Sequence, residues 1–292
     1  MHNVHKRLFV VSNLIGHLHC NTDKLENNFS IPQSQLIKDV VAAFWQTHRP
    51  NDPPVKETII PKGVVEFIFS FESPRITATI GNRTFDLPKC FVRGFNNIPI
   101  QLHLSGWQTY FGVVFHPAAA KRLLKTQPVE FFNCCVDLTL VDASFHSLWN
   151  CLGEQKSFDE RITIFTSWLA TRLPSLTGTE LAFNRFLHNP ITAPLSVSQL
   201  AKQFCYSSKQ LSRKLYELAG MNTEQVLLYK KYLHAVHLMH SSQMSLTEIA
   251  YSCHFSDQSH FIKTFKALGQ LTPNEYRQQK SDVPGHFFND VH

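Results

Sequence analysis

The feature that most restricts how this chain can fold is an internal repeat near its C-terminal end. Leu195–Tyr216 reads LSVSQLAKQFCYSSKQLSRKLY, and Met244–Phe265 reads MSLTEIAYSCHFSDQSHFIKTF. A serine in N-cap position, Ser196 or Ser245, opens each copy, and Ser245-Leu-Thr-Glu248 forms a capping-box pattern. Ala201 and Ala250 then stand where two crossing helices need a small side chain. Up to the turn Phe204 matches Cys253 and Tyr206 matches Phe255. Beyond it the second copy is one residue longer, so Leu211 aligns with Phe261, Arg213 with Lys263 and Leu215 with Phe265. A further serine, Ser207 or Ser208 and then Ser256, begins the next helix. The layout is helix, tight turn, helix, written twice.

Between the copies, Thr223–His240 has the spacing of one helix of about five turns. Val226, Leu227, Tyr229, Leu233, Val236 and Met239 are its expected buried side. Such a rod would hold two exposed helices at fixed separation; heads roughly 34 Å apart face successive major grooves on one side of a duplex. The net charge of +6 is concentrated accordingly: residues 190–280 carry ten basic and five acidic side chains. A local basic surplus suits a polyanionic partner.

The residues that carry a family resemblance are Leu200-Ala201, Leu211-Ser-Arg213, Gly220, Ala235, Ile249-Ala250, Phe255-Ser-Asp-Gln-Ser-His-Phe261, Phe265-Lys266 and Thr272-Pro-Asn-Glu-Tyr-Arg277. Over residues 180–277 the chain resembles the DNA-binding domain of the AraC/XylS family of transcription regulators. That resemblance implies an all-α domain with two helix-turn-helix units joined by a long helix. It implies double-stranded promoter DNA as partner, RNA polymerase beside it, and a bacterial, cytoplasmic activator. The groove-facing set is expected to be Ser207, Ser208, Lys209, Gln210, Arg213 and Lys214 in the first unit, and Ser256, Gln258, Ser259, His260 and Lys263 in the second. Asp257 is expected to cap its helix rather than read bases. Three positions depart from the family pattern: His254 and Gln270 replace usual glycines, with Gly269 able to supply the second cap, and Lys231 replaces a common arginine.

Upstream the period changes. Runs at 57–61, 64–71, 76–80, 85–87, 91–95, 98–104 and 110–115 are short, rich in Val, Ile, Phe and Thr, and separated by turn formers. They predict an antiparallel sandwich or barrel. Residues 30–49 lean helical without excluding a strand, and Asn51-Asp-Pro-Pro54 is expected to break the chain. Helical spacing follows over 118–125, 141–151 and 159–173, with Ile162, Phe165, Trp168 and Leu169 on one face. Ile60–Phe69, Phe91-Val-Arg-Gly94 and Gly112–Pro117 resemble an uncharacterised domain often joined to AraC-type readers, which implies a small β-barrel, cupin-like sensor plus helices. The expected organisation is therefore an α+β sensor or dimerisation domain over 1–175, a linker at 176–179, the DNA-binding domain over 180–280 and a tail over 281–292.

Seven cysteines, at irregular positions and without a CxxC pair, predict reduced thiols in a cytosolic protein. The N-terminal apolar run Leu8–Ile15 is too short and polar to span a membrane, and His17 and His19 argue against a cleaved leader. His17, His19, Cys20 and His116 lack a spaced second pair, so no metal or cofactor is expected. No hydrolase, metalloprotease, phosphate-loop or dinucleotide fingerprint is present. Glu66 and Glu72 are expected to be solvated, and Cys90 with His103 is the weak thiol-pair alternative. The expected function is sequence-specific DNA binding modulated by an unknown small molecule. The alternatives are a constitutive homodimeric binder and an enzyme domain fused to a DNA reader.

Overall fold

The computed structural model describes residues 26–71, 76–172, 175–191, 193–281 and 283–290. Two long antiparallel strands, β2 (Val41–Ile59) and β7 (Ile100–Phe115), organise the N-terminal half. Each has two sets of outer neighbours. The first part of β2 pairs with β1 (Glu26–Ser30), and the last part of β7 pairs with β3 (Val65–Phe71). From β3 the sheet continues to β6 (Cys90–Arg93) and β8 (Cys135–Asp137). At the other end, β7 pairs with β4 (Thr77–Ile80), which carries β5 (Arg83–Asp86). The sheet-rich first half followed by helices is as the sequence implied. The sheet is open rather than a closed barrel, because its path ends at β1 and β8.

Two readings of residues 30–59 need correction. Only α1 (Gln35–Lys38) is helical, and the run that leaned helical is the start of β2. Both sides of this strand are largely covered, so its apolar residues do not alternate and periodicity cannot tell it from a buried helix. The expected break at 51–54 is a bulge within β2: its register against β7 shifts between Arg49 and Val55. Pro53 and Pro54 fall between the segments of β2 that pair with β1 and with the C-terminal strand, where a missing N–H costs no ladder bond.

One face of the sheet meets the helices α4 (Ser144–Gly153) and α5 (Phe158–Ala170). Phe165 is fully buried and lies within 6.0–6.2 Å of the rings of Phe44, Phe69, Phe111 and Phe115. Ile162 and Trp168 flank this core half-buried, while Arg161 turns inward. Its guanidinium donates to Gln46 Oε1 at 2.5 Å, Gln155 O at 2.7 Å and Leu152 O at 3.1 Å. The other face is polar in places. Glu66, expected at the surface, is 1% exposed. It pairs with Arg93 and accepts from Trp45 Nε1 at 3.1 Å, and these partners together with Lys62 hold its carboxyl below the usual range against the cost of burial. Glu72 lies outside the described residues.

After β7 come α2 (Pro117–Leu124), a 3₁₀ turn (Pro128–Phe131), β8 and the short α3 (Leu138–Val141). The expected linker is partly helix: Thr177 forms a capping box with Glu180 and opens α6 (Gly178–His188). Then follow α7 (Val197–Gln203), α8 (Ser208–Ala219), α9 (Thr223–Ser241), α10 (Leu246–Ser252), α11 (Gln258–Gly269) and α12 (Pro273–Gln279). Residues assigned to the tail form a last strand, β9 (His286–Asp290), on the edge of β2.

Candidate nucleic-acid interface

The two repeats fold with matching backbone geometry. Phe204 and Cys253 end the first helix of each unit. Cys205 (φ 56°) and His254 (φ 59°) then take the left-handed conformation. In both turns the next amide reaches back to the small residue: Tyr206 N donates to Ala201 O at 3.0 Å and Phe255 N to Ala250 O at 2.9 Å. Ser207 caps α8 through a capping box with Gln210, whereas Asp257, one residue past Ser256, caps α11 by accepting from His260 N. Both helices have 12 residues. Both end on a left-handed residue, Gly220 (φ 68°) and Gln270 (φ 57°). The second cap is thus Gln270 itself, and Gly269 is the last helical residue. Asn222 and Thr272 open the following helices with capping boxes. The glycine replacements are absorbed without loss of the motif, at a cost of about 1–2 kcal/mol each for a side chain in this region.

The second turn is braced from α9. Lys231 Nζ donates to His254 O at 2.5 Å and sits 5.7 Å over the Phe255 ring. α9 has 19 residues, about 28 Å of helix, and buries Val226, Leu227, Tyr229, Leu233, Val236 and Met239, the set read from its spacing. Arg277 bonds Met244 O and so ties α12 to the start of the second unit. Leu211 and Leu215 in α8, and Phe261 and Phe265 in α11, are fully buried and fix which face each helix turns outward.

On the outward faces, Ser207, Ser208, Lys209, Gln210 and Arg213 are exposed in the first unit, and Ser256, Gln258, Ser259 and Lys263 in the second. Lys209, Arg213 and Lys263 form no ion pair among the described residues. Some of the set is engaged locally. Gln210 Oε1 accepts from Ser207 N at 2.9 Å, and Gln258 Oε1 accepts from Thr247 Oγ1 at 3.1 Å. His260 is half-buried, edge-on to Phe255 and 3.0 Å from Ser256 Oγ. Lys214 is half-buried and turned to Glu217 at 3.4 Å. Asp257 is held below the usual carboxylate range by the His260 amide and the Ser256 hydroxyl, so it stays ionised at the helix N-terminus.

Three further exposed residues were not singled out from the sequence, two of them on these outward faces. Tyr216 (54% exposed) follows Lys209 and Arg213 on one helical stripe. Lys266 holds the matching place after Ser259 and Lys263, and is exposed. Tyr251 on α10 is 63% exposed. The i, i+4, i+7 spacing was enough to find the first two.

Known proteins match in two segments. Residues 200–279 match the model of a helix-turn-helix domain, and residues 30–137 that of a domain of unknown function. The HTH-type transcriptional activator RhaS of Salmonella arizonae is 34% identical over 85 residues, 29% of this chain and 31% of that protein. RhaS of Escherichia coli is 35% identical over 79 residues, 27% of this chain and 28% of that protein. Residues 200–279 carry a helix-turn-helix domain similar to that of these activators. The chain spans under a third of the length of the curated relatives it matches. Among solved structures, ToxT from Vibrio cholerae aligns over 87% of this chain and 98% of its own, with 11% identity and a TM-score of 0.46. An AraC-type regulator from Chromobacterium violaceum aligns over 30% of this chain and 80% of its own, with 29% identity and a TM-score of 0.29.

The helical half is attached to the sheet-rich half at several points. Lys121 of α2 pairs with Glu217 of α8 at 2.9 Å, and Arg122 with Glu180 of α6 at 2.8 Å. Gly220, at the end of α8, lies against Phe132, so closely that a Cβ there would come within 2.5 Å of the ring. Gly63 (φ 70°) brings the loop before β3 onto α9, where a Cβ would fall 2.7 Å from Leu233 and 3.0 Å from Tyr229. Tyr229 Oη donates to Asn96 O at 2.8 Å.

Sites of other kinds gain no support. Cys90 is buried and its thiol is pushed up to about 12 by burial, while His103 is exposed on β7, which does not suit a nucleophile and base. The six described cysteines are free thiols. Among the described residues no group of three His, Cys, Asp or Glu could hold a metal ion, and no helix is long and apolar enough to cross a membrane. The leader and metal readings of His17, His19 and Cys20 fall outside the described residues.

Proposed function

We propose that this chain is a sequence-specific DNA-binding transcription regulator that reads adjacent major-groove segments with α8 and α11. The observation that carries the proposal is the pair of matched helices, each buried on its Leu or Phe side and bearing free cations on the outward side, joined by one continuous helix. Arg213 is placed to contact guanine edges or phosphate, Lys263 holds the corresponding position in the second unit, and Lys209, Gln258 and Ser259 complete the reading surface. Ser207, Ser208, Gln210, Ser256 and His260 contribute helix-end contacts to phosphate, while Lys214 stands at the margin.

Modulation by the sheet-rich half is favoured over constitutive binding by the attachments themselves. The Lys121–Glu217 pair and the Phe132–Gly220 contact both fall on a reading helix, and Gly63 falls on the connector. A change in the sensor then has a direct mechanical route to the DNA-contacting elements.

The test uses a duplex selected by the wild-type protein from a random-sequence pool. Arg213→Ala and Lys263→Ala should each weaken binding by roughly 1–3 kcal/mol at moderate salt, with relaxed preference at one position of the site. If both variants bind the selected duplex as wild type does, the reading faces are misassigned.

A further inference from the structure

The C-terminal strand does more than end the chain. After α12 the chain returns to the sensor sheet. Lys280 Nζ donates to Met239 O at 3.1 Å, Ser281 Oγ to His286 O at 2.8 Å, and Gly285 N to Tyr276 Oη at 3.2 Å. Ile60 N then donates to Gly285 O at 2.9 Å, and β9 pairs antiparallel with β2 from Ile59–His286 to Val55–Asp290. The ring of His286 pairs with Glu57 on β2. Around them, Lys62 and Arg93 help His286 to keep the Glu57 carboxyl ionised against burial.

This strand is linked to the second reading helix by an unbroken series of rings. Phe287 of β9 is buried edge-on against Tyr276 of α12 at 5.5 Å. Tyr276 meets Phe265 of α11 at 5.6 Å. Phe265 meets Phe261, also of α11, at 5.8 Å and Tyr232 of α9 at 5.3 Å. Tyr232 meets Tyr229 at 6.0 Å, and Tyr229 meets Phe95 of the sensor half at 6.3 Å. Close-packed interiors transmit displacement because no voids absorb it. Phe261 and Phe265 are the buried side of the helix whose other side carries Gln258, Ser259 and Lys263.

We propose that β9 is a strap through which strand β2 of the sensor sheet sets the position of the second reading helix. This rests on the DNA-reading proposal for its consequence but not for its mechanics. The first reading helix has its own attachment, through Lys121 and Phe132, so the two units are held to the sensor by separate contacts. A perturbation of the β2 edge is felt in α12 and α11 and spares α8.

The experiment is Asn289→Pro in the full chain, with Asn289→Ala as its control. Ile60 N donates to Gly285 O, so by the alternation of an antiparallel ladder Asn289, opposite Lys56, turns its N–H to β2; Asn289 is exposed, so proline there removes a ladder bond without removing a core side chain. Hydrogen exchange should quicken at 55–59 and also through 258–269 and 273–279, with 208–219 unchanged. On the selected duplex the affinity should fall several-fold, with protection lost from the block read by α11 and kept at the block read by α8. Asn289→Ala should leave both readouts near wild type. If exchange quickens only at 55–59 and 286–290, with the footprint unaltered, β9 is packing alone and the strap is refuted. Should the proline variant not fold, Glu57→Gln keeps every backbone bond and should show the same exchange pattern at smaller amplitude; unchanged exchange in 258–279 overturns the proposal equally. A wild-type protein that selects no duplex would defeat the DNA-reading proposal, while the exchange result would still decide the strap.

Discussion

Gly220→Ala separates two costs that this structure imposes at one atom. Gly220 ends α8 at φ 68°, and an added Cβ would lie 2.5 Å from Phe132 Cδ2 and 2.6 Å from Phe132 Cγ. The left-handed conformation costs an L-residue about 1–2 kcal/mol, of which roughly 0.4–1 is returned because alanine stiffens the unfolded chain. Overlap with the packed ring adds about 1–3 kcal/mol, because ring or helix must shift. The substitution should therefore destabilise by about 2–4 kcal/mol in urea unfolding. Phe132→Ala removes Cγ and Cδ2 but leaves Phe132 Cβ at 3.0 Å. In that background the cost of Gly220→Ala should fall to about 1 kcal/mol, a coupling of about 1–3 kcal/mol in the double-mutant cycle. Equal costs in the two backgrounds would show that the end of α8 is not seated on Phe132, and the attachment of α8 to the sheet-rich half would have to be abandoned.

Two further outcomes follow from other parts of the fold. His254→Gly relieves a left-handed residue and should stabilise the second unit by about 0.5–1 kcal/mol, seen as a higher urea midpoint; a lower midpoint would mean that the imidazole contributes packing that outweighs the strain. Lys230 donates to the carbonyls of Phe186 and Asn189 at 2.5 Å and of Leu187 at 3.2 Å, and burial pulls its ammonium down from 10.5 to about 7. Between those values the unfolded chain binds the proton and the folded chain has released it, so this group makes stability rise with pH. The stability difference between wild type and Lys230→Met should thus be larger at pH 9 than at pH 7 by roughly 2 kcal/mol, and a pH-independent difference would contradict it.

The helical half was the more legible because its signals are local. The caps at Ser196 and Ser245, the match of Arg213 with Lys263, the buried side of α9 and the one-residue offset at Ser256 all reappear in the structure. Ser207-Ser-Lys-Gln210 carried the same capping-box pattern as Ser245-Leu-Thr-Glu248, and was legible by the same rule. The sheet was less so. β2 is covered on both sides for much of its length, which erases the alternation that marks a strand, and its prolines read as a break because the sequence does not say which ladder positions lack a partner. The Glu66–Arg93 pair and the Glu57–His286 pair join residues 27 and 229 positions apart. Nothing local marks either carboxylate as buried, and a tail that returns to pair with β2 has no local signature at all.

The central claim, that α8 and α11 read one face of a duplex together, is tested most directly by hydroxyl-radical footprinting on the selected site. Two protected blocks about one helical turn, roughly 10–10.5 base pairs, apart on the same face are expected. Arg213→Ala should weaken one block and Lys263→Ala the other. A single block, blocks on opposite faces, or a pattern indifferent to both substitutions would contradict it.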